Sequence, residues 1–168
     1  QAIQLHFNKM MDLLYPLIKP YVHQIQIGLE INSWEVGMQN WTSGFEGEFC
    51  ERTGYDLIKY LPAMTGKIVG SKEMTERFLW DIRRVQADLL ADNYYGEFRN
   101  LCNQYGLVYY CEPYDRGPME ELQIGSRVDG VMGDFWNGLS AIFQNNLMMR
   151  RTTKLASSIA HINGQKVV

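Results

Sequence analysis

Two short apolar runs, each closed by a glutamate and separated by a long helical repeat, constrain this chain more than any other feature. In the first, Ile25, Ile27, Leu29 and Ile31 alternate with Gln26, Gly28 and Glu30, the period of a strand over 24–31, and the run enters Asn32-Ser33-Trp34-Glu35. In the second, Leu107-Val108-Tyr109-Tyr110-Cys111 predicts a buried strand that delivers Glu112-Pro113-Tyr114, where the proline stops sheet pairing. Between them Ser71 is a good N-cap, and a helix is predicted from there towards Tyr105. Phe78, Ile82, Val85 and Leu89 form its first stripe. Leu90, Tyr94, Phe98, Leu101 and Tyr105 continue it a step around. Strands joined through a long helix pair in parallel, so the class is α/β.

The rest of the chain repeats this alternation. Ile3, Phe7, Met10 and Leu14 share one helical face, and Pro16 and Pro20 are expected to end that helix. Phe45 and Phe49 mark a short helix with Gly54 as its C-terminal cap, and 55–70 reads as a loop with one or two helical turns. A weak strand is predicted over 128–132. Helices carrying Leu139, Ile142, Phe143, Leu147, Leu155 and Ile159 follow, closed by Gly164, and Lys166-Val167-Val168 opens a further strand. Doubly wound sheets and (β/α)₈ barrels share this order. A complete barrel needs about 250 residues, so 168 residues hold about half of one. The chain begins at Gln1 inside a helix and ends as a strand begins. The expectation is a single α/β piece, residues 1–168 of a partial (β/α)₈ TIM barrel with parallel strands and long helices, truncated at both ends.

Composition removes several function classes. Sixteen Lys and Arg against nineteen Asp and Glu give a net charge of −3, which leaves no basic field for a phosphate backbone and makes nucleic acid an unexpected partner. No run of eighteen apolar residues exists to span a membrane. Cys50, Cys102 and Cys111 have neither CxxC nor Cys/His spacing, and His6, His23 and His161 are scattered. Phosphate-binding glycine loops, the GxSxG elbow and HExxH are absent.

What remains is acidic and aromatic. Sites in parallel α/β folds form at the C-terminal ends of the strands, where Glu35 and Glu112 both fall. Flanked by Trp34, Trp41 and Tyr114, they fit a glycosidase cleft. Aromatic faces pack on sugar C–H groups, while one carboxyl protonates the leaving oxygen and another activates water. Solvated acids beside core aromatics would give the same pattern. Glu112, Asp115, Glu120 and Glu121 offer oxygen ligands for calcium, or form an acidic surface loop. Asn40-Trp41-Thr42 fits a glycosylation sequon, though its Trp and Asn suit a cleft better. Arg150, Arg151 and Lys154 read as a solvated helix face.

The run Asn32-Ser33-Trp34-Glu35-Val36-Gly37-Met38-Gln39-Asn40-Trp41-Thr42 resembles the signature of the α-L-rhamnosidases of glycoside hydrolase family 106. Further stretches agree in order: Arg52-Thr53-Gly54-Tyr55-Asp56-Leu57, Glu76-Arg77-Phe78-Leu79-Trp80-Asp81, Tyr110-Cys111-Glu112-Pro113-Tyr114 and Met132-Gly133-Asp134-Phe135-Trp136. The resemblance covers nearly the whole chain. It implies an inverting enzyme that removes terminal α-L-rhamnose from polysaccharides or glycosides, built on a (β/α)₈ barrel within a larger protein. It also implies calcium assistance and a periplasmic or secreted location. Position by position, it makes Glu35 the general acid and Glu112 a second glutamate in the same cleft, so that both are expected to be catalytic. Trp34, Asn40, Trp41 and Tyr114 line the sugar pocket.

Two departures bear on this. Where the family usually has Asp, this chain has Asn32, which removes a negative charge beside Glu35. The family's next strand also ends in a glutamate, a candidate base, which falls beyond Val168. The isolated fragment is accordingly expected to be inactive. Two other readings stay open: a carbohydrate-binding or inactive relative, and a glycosidase for a different sugar.

Overall fold

The computed structural model describes residues 2–38, 41–134 and 147–165, with the side chains of 147–151 excepted. Three strands form one parallel sheet in the order β1-β2-β3: β1 (Gly28–Ile31), β2 (Val108–Cys111) and β3 (Gly130–Val131). Gly28 pairs with Val108 and Ile31 with Cys111, while Tyr110 and Cys111 pair with Gly130 and Val131. Helix α1 (Ala2–Ile18) precedes β1, and α2 (Phe45–Thr53) with a 3₁₀ stretch (Ile58–Thr65) follows it. The crossover to β2 consists of α3 (Lys72–Leu90), a π-helical turn (Ala91–Gly96) and α4 (Glu97–Gln104). Between β2 and β3 lies α5 (Glu121–Gly125), and α6 (Leu147–Asn163) packs back on β3.

The main core sits on one face of the sheet. Leu29 and Ile31 of β1, Tyr109 and Cys111 of β2, and Val131 of β3 share it with Phe7 and Met11 of α1. Phe98 and Leu101 of α4 and Ile159 of α6 complete it. Neighbouring side chains of a strand point to opposite faces, so Glu30 and Tyr110 face the other way and stay exposed or half-buried. Tyr110 lies so close over Gly28 that a Cβ there would sit 2.7 Å from its ring. A satellite core joins the β1–α3 excursion to α3 through Phe45, Phe49, Leu57, Phe78 and Ile82.

Several sequence expectations change. The first strand starts at Gly28 rather than residue 24. The N–H groups of Gln24 and Ile25 already bond to the Tyr21 carbonyl at 2.8 and 3.0 Å, closing a turn, and Ile25 is 61% exposed. Pro16 does not end α1, which continues to Ile18. A proline so near the C-terminus forfeits only its own N–H bond, and Lys19 N–H still reaches Tyr15 O at 2.8 Å. The predicted helix from Ser71 is interrupted by the π turn. The third strand contracts to two residues. Leu139, Ile142, Phe143 and 166–168 lie outside the described residues, as do the side chains of Arg150 and Arg151. No described helix is long and apolar enough to cross a membrane.

Candidate active site

Both glutamates lie past the C-terminal ends of their strands, as their positions in the sequence predict. Past Ile31 and Cys111 the chains stay side by side: Glu112 N–H bonds Ile31 O at 3.1 Å, Trp34 N–H bonds Tyr114 O at 3.1 Å, and Trp34 and Asp115 form a further parallel bridge. Glu35 and Glu112 therefore emerge at the same end of the sheet. Ser33 joins them. Its backbone N–H donates to Glu112 Oε2 at 2.8 Å, and its hydroxyl donates to Glu35 Oε1 at 3.2 Å. Spanning one residue, these contacts keep the nearest carboxyl oxygens within roughly 10 Å of each other.

The two glutamates differ in setting. Glu35 is exposed, on the segment leaving β1, where it can meet a ligand. Glu112 is only 7% exposed. Burial pushes its pKa above the ordinary carboxylate range. Hydrogen bonds from the Tyr114 hydroxyl and the Ser33 N–H oppose that shift, and the neighbouring Asp134 carboxyl adds to it. Tyr114 is buried, and its hydroxyl also accepts the Asp134 N–H at 3.2 Å. Burial first, and then the Glu112 and Asp134 charges, hold the phenol in its neutral form despite that donated N–H.

Asp134 is the site residue that the sequence reading passed over. It stands three residues past β3, whereas Glu112 directly follows β2, and a two-residue strand leaves almost no alternation to announce it. Its placement comes from packing. Thr152 of α6 donates its hydroxyl to the Asp134 carbonyl at 2.6 Å, and a Cβ on Gly133 would meet the Thr152 carbonyl oxygen at 2.8 Å. The helix backbone thus presses against Gly133 and fixes the residue after it.

The aromatic residues divide. The Trp34 indole N–H donates to Gly37 O at 2.6 Å, and its ring stands edge-on to Tyr94 at 5.7 Å and against Gly117. Trp34 is therefore wedged into the wall of the site. Trp41 is exposed, packs on Phe45 at 5.3 Å and lines a cavity of about 360 Å³ that includes neither glutamate. Asn40 lies outside the described residues. Glu112, Asp115, Glu120 and Glu121 do not converge. Among the described residues, no three acidic, histidine or cysteine side chains come together to hold a metal. Calcium needs six to eight oxygens, more than the Glu112–Asp134 pair alone supplies.

The solved rhamnosidase from Novosphingobium sp. PP1Y superposes with a TM-score of 0.76 at 29% identity, covering 96% of this chain and 16% of that one. A curated relative from Formosa agariphila, named "Putative beta-glucuronidase", is 48% identical over 138 residues, which are 82% of this chain and 11% of the relative. The chain thus spans a small part of both proteins. The family model for α-L-rhamnosidases of glycoside hydrolase family 106 matches residues 1–168 throughout, and the chain belongs to that family.

Proposed function

We propose that these residues form a sector of the catalytic (β/α)₈ barrel of an inverting α-L-rhamnosidase, with Glu35 as general acid. The carrying observation is the shared strand end: an exposed Glu35 is tied through Ser33 to a buried Glu112. Glu35 is the carboxyl that can reach a glycosidic oxygen and protonate it as the bond to the anomeric carbon breaks. Glu112 has its oxygens engaged by Ser33, Tyr114 and Asp134 and little surface to hold a water. It acts as a positioning residue, fixing the Ser33–Glu35 segment from below. The strand order supports the barrel. Among the described residues, consecutive strands lie side by side and α1, α4 and α6 pack on one face of the sheet, as in a barrel wall, whereas a doubly wound sheet carries helices on both.

A second reading keeps the mechanism and changes the sugar. The 48% identical relative is named for glucuronide cleavage, and Asn32 takes from the strand end a negative charge that would repel a uronate. The test is a panel of chromogenic glycosides on the full-length parent protein. Turnover of the α-L-rhamnoside alone supports the first reading, and turnover of the β-glucuronide alone supports the second. No turnover, with sugar binding retained, identifies a carbohydrate-binding relative.

A further inference from the structure

The cavity that Trp41 lines has no part in the chemistry above. We propose that it is a second sugar subsite, which receives the neutral leaving-group ring of the glycoside cleaved at the strand ends. The proposal rests on the glycosidase reading.

Position comes first. Tyr94 lines the cavity and is also the ring against which Trp34 stands, 5.7 Å between centroids, so cavity and strand-end site share one aromatic wall. A substrate lying across that wall places one ring at Glu35 and the next beside Trp41. The lining is of the kind that sugars use. Trp41, Leu89 and Tyr94 supply apolar surface for C–H faces, while Ser43 and Asn93 supply a hydroxyl and an amide for ring hydroxyls. A volume of about 360 Å³ accommodates a pyranose ring. The π turn sets two of these groups in place. It carries both Asn93 and Tyr94, and single π turns within helices occur frequently at functional sites.

Charge selects the class of ligand. Among the described residues the only charged one in the lining is Glu48, whose carboxylate already meets Arg52 at 3.4 Å. Among the described residues no cation lines the cavity to receive a carboxylate, sulfate or phosphate, and burying an unpaired anion there would be costly. A neutral ring is what the lining favours.

The test uses the full-length parent protein and two substrates with the same glycone: a neutral disaccharide, and the glycosyl fluoride, whose leaving group is too small to enter the cavity. Ser43→Trp fills the space from an exposed turn. It should lower kcat/KM on the disaccharide by about tenfold while the fluoride rate holds within about twofold, a difference near 1.4 kcal/mol in transition-state binding. Asn93→Ala should raise KM for the disaccharide by about threefold, with kcat little changed. Equal losses on both substrates, or none, overturn the subsite. If the parent cleaves no rhamnoside, the functional reading fails separately. The subsite is then judged by calorimetric titration of neutral and uronic disaccharides into wild type and Ser43→Trp. Binding of the neutral disaccharide that Ser43→Trp abolishes supports the proposal. Unaltered binding, no binding, or preference for the uronic sugar overturns it.

Discussion

A carboxyl buried to the extent of Glu112, with a second carboxyl beside it, binds its proton more tightly in the folded chain than in the unfolded one. The sign of the linkage follows. As pH rises from the unfolded glutamate's value of about 4.3 through the raised folded value, the unfolded state gives up its proton first, and stability falls. Asp134→Asn removes the like charge while leaving the backbone bonds to Tyr114 and Thr152 in place. The variant should gain on wild type between pH 4 and pH 7 in urea unfolding. Equal offsets at the two pH values would mean that Asp134 does not act on Glu112. For Glu35 the readout is leaving-group dependence. Glu35→Gln keeps the shape but cannot donate a proton, so kcat/KM on a disaccharide should fall by about 10²–10⁴-fold, and much less on a nitrophenyl rhamnoside. An equal fall on both would make Glu35 a base or a positioning residue. At this scale the sequence showed Glu35 and Glu112 by their places after apolar runs. Nothing local showed that Ser33 links them, because that contact joins residues 79 apart in the chain.

Among the elements, those set by local chemistry were readable and those set by packing were not. Ser71 caps α3 with its hydroxyl accepting the Met74 N–H at 3.1 Å, and Gly54 and Gly164 take the positive φ their cap positions require. The π turn leaves a trace in the sequence. The apolar stripe of α3 shifts a step around before resuming in α4, and an inserted π turn makes that rotation. The extent of β3 follows from α6, which presses on the loop after it. Gly133→Ala sets a methyl 2.8 Å from a helix carbonyl oxygen, a contact with backbone that cannot swing away. It should cost about 1–3 kcal/mol. Gly47→Ala is the contrast, lying in α2 with nothing within 4 Å of the new Cβ. It should gain about 0.5–1 kcal/mol by restricting the unfolded chain and favouring helix. Denaturant midpoints of the two variants check the pair, and like-signed shifts would overturn the packing account of Gly133.

For the molecule as a whole, the same packing predicts that this sector depends on surroundings it does not itself provide. Leu5, Leu13 and Leu17 lie on the face of α1 turned away from Phe7 and Met11, and they are 62, 75 and 70% exposed. Leu13 and Leu17 are four residues apart and so neighbours on the helix surface, and Leu5 lies further along the same side beyond the exposed Lys9, so the three form an apolar strip interrupted by one lysine. Among the described residues β1 also has an unpaired edge, a row of backbone donors and acceptors able to recruit another strand. In a closed barrel both features are covered, the strip by a neighbouring helix and the edge by a neighbouring strand. The 168-residue chain produced alone should therefore self-associate, bind a hydrophobic dye and show no turnover of a nitrophenyl rhamnoside. Within the full-length parent, Leu13→Glu and Leu17→Glu should each destabilise the protein by about 2 kcal/mol or more, because a charge would enter a buried helix–helix contact. Sedimentation velocity and dye fluorescence read the first expectation, and thermal unfolding of the two variants reads the second. A dye-silent monomer that unfolds cooperatively, together with parent variants as stable as wild type, would show that the strip faces water in the intact protein. The sheet would then end at β1 instead of continuing into a barrel.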